Sequence, residues 1–152
     1  MNMSDTFNTQ RTVRLARGFT LIEIMVVVVI LGILAAIVVP NVMGRIDQAA
    51  TTKAKQDIRN YETALNLYKM DNFKYPTTEQ GLQALQTQPN DPTVRNWKPG
   101  GYTKVRKDPW SNDYKYVYPG THGEEYDLYT LGRDGVEGGE GPDADIGNWN
   151  LD

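Results

Sequence analysis

Two places in this 152-residue sequence carry side chains with chemistry to do. The run GRDGVEGGEGPDADIG at 132–147 offers Asp134, Asp143 and Asp145. These are hard oxygen donors, set among glycines that let a chain fold tightly round an ion. Calcium suits such donors better than zinc, because the run holds no cysteine and no histidine. The spacing is not that of an EF-hand, and composition alone equally describes a flexible acidic tail. The other place is Glu23, a carboxylate inside an otherwise apolar run. A charge within a membrane span costs on the order of a few kcal/mol and is usually paired or functional. Close to a helix end it can instead snorkel to the interface.

Little else points to chemistry. The one histidine, His122, lies in a glycine-flanked loop, and the serines are Ser4 and Ser111. A Ser111–His122–Asp arrangement is conceivable, but a lone loop histidine is usually only solvated. Nucleophile elbow, phosphate-binding loop and metalloprotease helix are all missing. Glu124 and Glu125 read as a solvated turn rather than a glycosidase pair. The expectation is a protein that is not an enzyme. No cysteine occurs, which excludes disulfides, cysteine-zinc sites and thiol chemistry. Net charge is −3, without the basic excess of a nucleic-acid binder. The charge is uneven. Arg11, Arg14 and Arg17 crowd the start, while nine acids and one base, Arg133, follow from Glu124 onward. A basic start and an acidic end suggest two different partners.

The elements that must position these residues begin with Phe19–Val39, FTLIEIMVVVVILGILAAIVV. Its only polar members are Thr20 and Glu23. As a helix it spans roughly 30 Å, the thickness of a bilayer's hydrocarbon. The β-branched run Val26–Ile30 suits a strand in water, but in lipid backbone pairing must be internal, which selects helix. Arginines before it predict a cytoplasmic N-terminus and an exported remainder. A cleaved signal peptide would have a shorter apolar stretch and a small-residue site opening onto a polar start. Here Ala35-Ala36 leads only into more apolar residues.

After Pro40 the pattern becomes amphipathic. Ile46, Ala50, Ala54, Ile58, Tyr61, Leu65 and Tyr68 recur at spacings of three and four. One helix from about 19 to about 70, with Pro40 and Gly44 as its weak point, fits the pattern; so does an anchor followed by a separate core helix. Thr78 is placed to cap a short helix to about Leu85, and 89–101 reads as loop. Tyr114–Tyr118 and Tyr126–Leu131 alternate as strands of a hairpin, joined by a longer loop.

Arg17-Gly18-Phe19-Thr20-Leu21-Ile22-Glu23, before a long apolar run, resembles the class III signal of type IV pilins and pseudopilins. The resemblance implies that a prepilin peptidase cuts between Gly18 and Phe19 and that Phe19 is N-methylated. It also implies that Glu23 pairs with the Phe19 amine of a neighbouring subunit during assembly. Further runs resemble the major pseudopilins of type II secretion systems: YPTTEQGL at 75–82, KDPW at 107–110, PGTHG at 119–123, LGRDG at 131–135 and GGEGPDADIGNW at 138–149. This likeness covers nearly the whole chain after the leader. It departs at a somewhat long leader and at Arg133, where a small residue is common and where a positive charge now stands beside the proposed cation site.

The resemblance implies an α+β, type IV pilin-like fold, with a long N-terminal helix on a small antiparallel sheet and a calcium-stabilised C-terminal loop. The loop's ligands would be the Leu131 carbonyl and the side chains of Asp134, Asp143 and Asp145. The organisation expected is a leader at 1–18, a membrane and polymerisation helix at 19–39, its amphipathic continuation at 40–70, and a periplasmic globular region at 71–152. The expected function is the major subunit of a secretion pseudopilus, held in the bacterial inner membrane before assembly and driving export of folded proteins. Its expected partners are copies of itself, minor pseudopilins, an inner-membrane assembly platform, the prepilin peptidase and, indirectly, the secretin. A surface pilus for adhesion or motility is the alternative. Such pilins often close a C-terminal loop with a disulfide, which this chain lacks the cysteines to make.

Overall fold

The computed structural model describes residues 18–152. The leader arginines lie outside the described residues. The chain divides into two compact units, one ending at Pro40 and the other spanning Asn41–Asp152.

A single helix, α1, runs Leu21–Asn72 over 52 residues and contains Pro40. Its start is capped reciprocally. The Glu23 amide donates to Thr20 Oγ1 at 3.3 Å, and the Thr20 amide donates to Glu23 Oε2 at 3.4 Å. That exchange satisfies two of the amides a helix start leaves without partners. At the other end Phe73 takes φ 60°, its amide donates to the Lys69 carbonyl, and the helix stops.

In the first unit every residue from Leu21 to Val39 is exposed. A run of this length and composition, with no core around it among the described residues, is stable only in an apolar solvent or against other apolar helices.

In the second unit the predicted helix face does form a core. Ala54, Ile58, Tyr61, Leu65 and Tyr68 are all buried. The face begins later than its periodicity predicts: Ile46 is 59% exposed and Ala50 only half-buried. The packed core of this unit begins at about Ala54, and the apolar Val42, Met43 and Ile46 before it are exposed.

The predicted short helix is only a 3-10 turn, Leu82–Leu85, entered through Gly81. Thr78 does not cap it. Thr77 and Gln80 exchange amide-to-side-chain bonds of 3.0 and 3.2 Å in the preceding turn. Thr78 Oγ1 instead accepts from the Tyr118 amide and donates to the Tyr118 carbonyl, both at 2.9 Å, which ties this turn to the end of the first strand.

The hairpin is present, with shorter strands than the sequence pattern suggested. Strand β1 is Lys115–Val117 and β2 is Asp127–Thr130, antiparallel, with Tyr116 opposite Leu128. A third strand that the sequence reading missed, β3 at Ile146–Gly147, pairs antiparallel with β2 and places Thr130 opposite Ile146. The sheet order is β1-β2-β3. Tyrosines join sheet and helix: Tyr61 meets Tyr114 edge-on at 5.3 Å, and Tyr114 donates to Asp57 Oδ2 at 3.1 Å. Burial pushes the Tyr68 hydroxyl up to about 12. This is the predicted α+β arrangement, a long helix packed on a small antiparallel sheet.

Candidate functional site

The N-terminal site is an exposed strip. Gly18 and Phe19 precede α1, and Phe19 is 79% exposed. A Cβ built on Gly18 would meet nothing within 4 Å among the described residues, so no packing against them dictates glycine there. Glu23 is also exposed and lies in the first turn, beside the amides of the helix start. Its carboxylate thereby has two uses available, as a helix cap and as an anion on the surface of an apolar rod.

The second site is the segment from Leu131 to Gly147, which leaves β2 and returns as β3. Its two ends are drawn together at Gly132, which takes φ 70°; a Cβ there would come within 2.8 Å of the Ala144 carbonyl oxygen. Only glycine allows both that conformation and that approach. The Arg133 amide donates to the Pro142 carbonyl at 3.0 Å, and the Asp145 amide to the Gly138 carbonyl at 3.2 Å.

The three predicted ligands sit differently within this loop. Asp134 Oδ1 accepts from the Val136 amide at 3.1 Å, which caps a turn. Asp145 Oδ2 accepts from the Gly138 amide at 3.0 Å. Its Oδ1 is buried and has no hydrogen-bond partner among the described residues, a costly state for a carboxylate oxygen. Asp143 is gripped by Arg133 through both oxygens: Nε to Oδ1 at 2.9 Å and Nη2 to Oδ2 at 3.0 Å. Among the described residues no three acids or histidines close round a common point. The donor chemistry is of the kind a hard cation takes, one buried Asp145 oxygen is open to such an ion, and Asp143 is held by Arg133. Leu131 is half-buried at the loop's start.

Sequence reasoning missed the residues that hold this loop in place. Asp108 is buried, and its Oδ1 accepts from the amides of Trp110 and Asn112 at 2.9 and 2.7 Å. Its other oxygen accepts from Thr130 of β2. The turn so formed delivers Asn112, whose Nδ2 donates to the Gly132 carbonyl at 2.9 Å, to the mouth of the loop. An Asp-Pro-Trp-Ser-Asn run is a recognisable turn signal, but its target is not legible in it. Beyond β3, Asn148 extends the pairing. Its Oδ1 accepts from the Leu128 amide at 3.0 Å and its Nδ2 donates to the Tyr126 carbonyl at 2.9 Å.

His122 has a place in this scaffold. Its Nδ1 lies 3.0 Å from Asp127 Oδ2, and its ring stacks on Trp149 with centroids 3.8 Å apart. Trp149 in turn lies over Gly147, where a Cβ would sit 2.5 Å from the ring. Asp127 also accepts from the Thr121 amide and hydroxyl at 2.8 and 2.7 Å. Burial opposes its ionisation, but the Thr121 and His122 hydrogen bonds prevail and hold the carboxyl at about 2. The PGTHG loop and the GNW segment are thus two sides of one packed corner.

Two family models match this chain. One, described as "Type II secretion system (T2SS), protein G", matches residues 41–149; the other, "Prokaryotic N-terminal methylation motif", matches residues 13–39. The chain is 57% identical over 142 residues to the type II secretion system core protein G of Vibrio cholerae, covering 93% of this chain and 97% of that protein. It is 61% identical over 135 residues to the protein of the same name from Pseudomonas aeruginosa, covering 88% and 94%. The crystal structure of the major pseudopilin from the type 2 secretion system of enterohaemorrhagic Escherichia coli superposes with a TM-score of 0.62 at 42% identity. That match covers 72% of this chain and 95% of that one.

Proposed function

This chain belongs to the type II secretion system protein G family, the major pseudopilins, and from that premise we propose that it works by polymerising rather than by catalysis. It is a structural subunit of the secretion pseudopilus. The observation that carries the mode of action is that Leu21–Val39, apolar but for Glu23, is exposed throughout. That surface needs lipid before assembly and sister helices after it.

The precursor sits in the inner membrane with its N-terminus cytoplasmic and its head periplasmic, in keeping with the leader arginines. Cleavage between Gly18 and Phe19 frees an α-amino group four residues before Glu23. Methylated Phe19 then offers its ammonium to the Glu23 carboxylate of a neighbouring subunit. In the apolar core of a filament an unpaired carboxylate is penalised, so this pairing selects register. A head-to-tail contact that does not close into a ring gives a helical fibre. Minor pseudopilins and an inner-membrane platform start and feed that fibre, the prepilin peptidase prepares the subunits, and the fibre drives folded proteins toward the secretin. The experiment is overproduction together with the secretion genes. Fibres labelled by antibody against this chain, with an N-terminus at methylated Phe19 by mass spectrometry, are expected. Monomer alone in the membrane fraction would contradict the proposal.

Calcium belongs to the same proposal. The Leu131 carbonyl and the side chains of Asp134, Asp143 and Asp145 would hold it, and the bare buried oxygen of Asp145 supports the reading. Bound there, the ion would neutralise the loop's carboxylates and staple a head without disulfides. Calcium titrated into the full chain in detergent micelles should give a binding isotherm; dilution heat alone would remove calcium from the account.

A further inference from the structure

We propose that Arg133 is a built-in counter-cation that competes with calcium for Asp143. The inference rests on the calcium reading above. A side chain on the loop's first turn, it spans ten residues to take both oxygens of Asp143, at 2.9 and 3.0 Å. Its remaining terminal nitrogen, Nη1, donates to Asp47 Oδ2 on α1 at 3.3 Å. The guanidinium fork therefore ties the loop to itself and to the helix through one charge.

While Arg133 holds Asp143, only the outer lone pair of each carboxylate oxygen stays open to a second cation. The bidentate grip uses the two in-plane faces that a metal would use. Asp145, whose Oδ1 stays bare, and Asp134, which caps its own turn, are not engaged by Arg133. For Asp143 to hold calcium through both oxygens the guanidinium must release it, keeping only Asp47, and a positive charge then remains close to a divalent ion. Both effects weaken affinity. In the absence of metal the same grip holds the loop's return segment, so the head depends less on calcium than it would with a small residue at 133.

The test is calorimetric titration of calcium into the full chain and its Arg133→Ala and Arg133→Gln variants in detergent micelles. Thermal melting in chelator at matched ionic strength accompanies it. Arg133→Gln keeps the stem as far as Cδ and a polar end while removing the charge, which guards against a packing defect. Both variants should bind calcium about two- to fivefold more tightly, the range expected for freeing a half-exposed ion pair. Both should melt at a lower temperature than the parent in chelator. Equal calcium affinity in all three proteins would overturn the competition and leave the calcium reading standing, as would a melting temperature in chelator that does not fall. No binding heat in any of the three would remove the calcium reading itself, and this inference with it.

Discussion

Glu23→Gln abolishes fibres as thoroughly as Glu23→Ala, although both variants still insert in the membrane: this is the expected outcome if the carboxylate's charge pairs subunits. The two substitutions separate the roles that the structure allows. As a cap, Glu23 needs only an oxygen that accepts from the Thr20 amide, and glutamine supplies one. As a counter-ion to a neighbour's Phe19 amine, it needs a negative charge. The two roles differ in size. Loss of a cap costs about 1 kcal/mol of helix stability. Leaving an ammonium unpaired in the apolar interior of a fibre costs several. A yield loss of at least about tenfold per assay, where tenfold is 1.4 kcal/mol, is the minimum expected for Glu23→Gln. Fibre yield is read by electron microscopy and sedimentation, and insertion by membrane fractionation. Fibres at the parental level from Glu23→Gln, but not from Glu23→Ala, would assign the residue to capping alone.

The largest expected effect on the head comes from Asp127→Asn. Asp127 is buried, and its two oxygens accept four hydrogen bonds from Thr121 and His122. Asparagine turns one acceptor into a donor, facing groups that already donate. The cost is about 2 kcal/mol, or roughly 5 °C in melting temperature for a chain of this size. The effect reaches the acidic loop, because Asp127 anchors the histidine that stacks on Trp149, and Trp149 lies over Gly147 of β3. The pH dependence has a definite sign. The folded carboxyl sits at about 2, below its ordinary 3.8. Such a group stabilises the fold fully above its unfolded value and loses that contribution as pH falls through the window to about 2. Asp127→Asn should therefore remove part of the parent's acid sensitivity in that window, measured by thermal melts of the full chain. An unchanged melting temperature at pH 7 would show that the turn does not need the carboxylate.

What the sequence made legible was whatever is written along one dimension. Gly18, Phe19 and Glu23 form a contiguous signal, and the apolar run after them needs only counting. The spacing of Tyr61, Leu65 and Tyr68 marked a helix face because packing against a sheet demands that period. The same rule misplaced Ile46, since periodicity does not say where the partner surface ends. Strand β3 is two residues long, too short for alternation to register, and it exists because Gly132 lets the loop double back. Thr78 fits a capping position by type, but the Thr77–Gln80 exchange caps the turn and leaves Thr78 to reach Tyr118. The scaffold of Asp108, Asn112 and Asn148 was hidden for the same reason. Each makes its key bonds to residues about twenty positions away, at Thr130, Gly132 and Leu128.

The acidic loop was legible in type and not in pairing. Asp134, Asp143 and Asp145 are hard donors on any reading, yet each has a different partner. Arg133 was visible beforehand only as a charge out of place beside a cation site. Its bidentate hold on Asp143 is a tertiary fact, set by the turn that brings the Pro142 carbonyl onto the Arg133 amide.

The claim that this chain is the filament-forming subunit of a secretion pseudopilus is tested most directly by a clean deletion of its gene, with exported enzymes assayed in the periplasm and in the medium. The account predicts that they accumulate in the periplasm, that motility and adhesion stay normal, and that the intact gene restores export. Unchanged secretion with loss of surface fibres or twitching would contradict it and make the chain a surface pilus subunit.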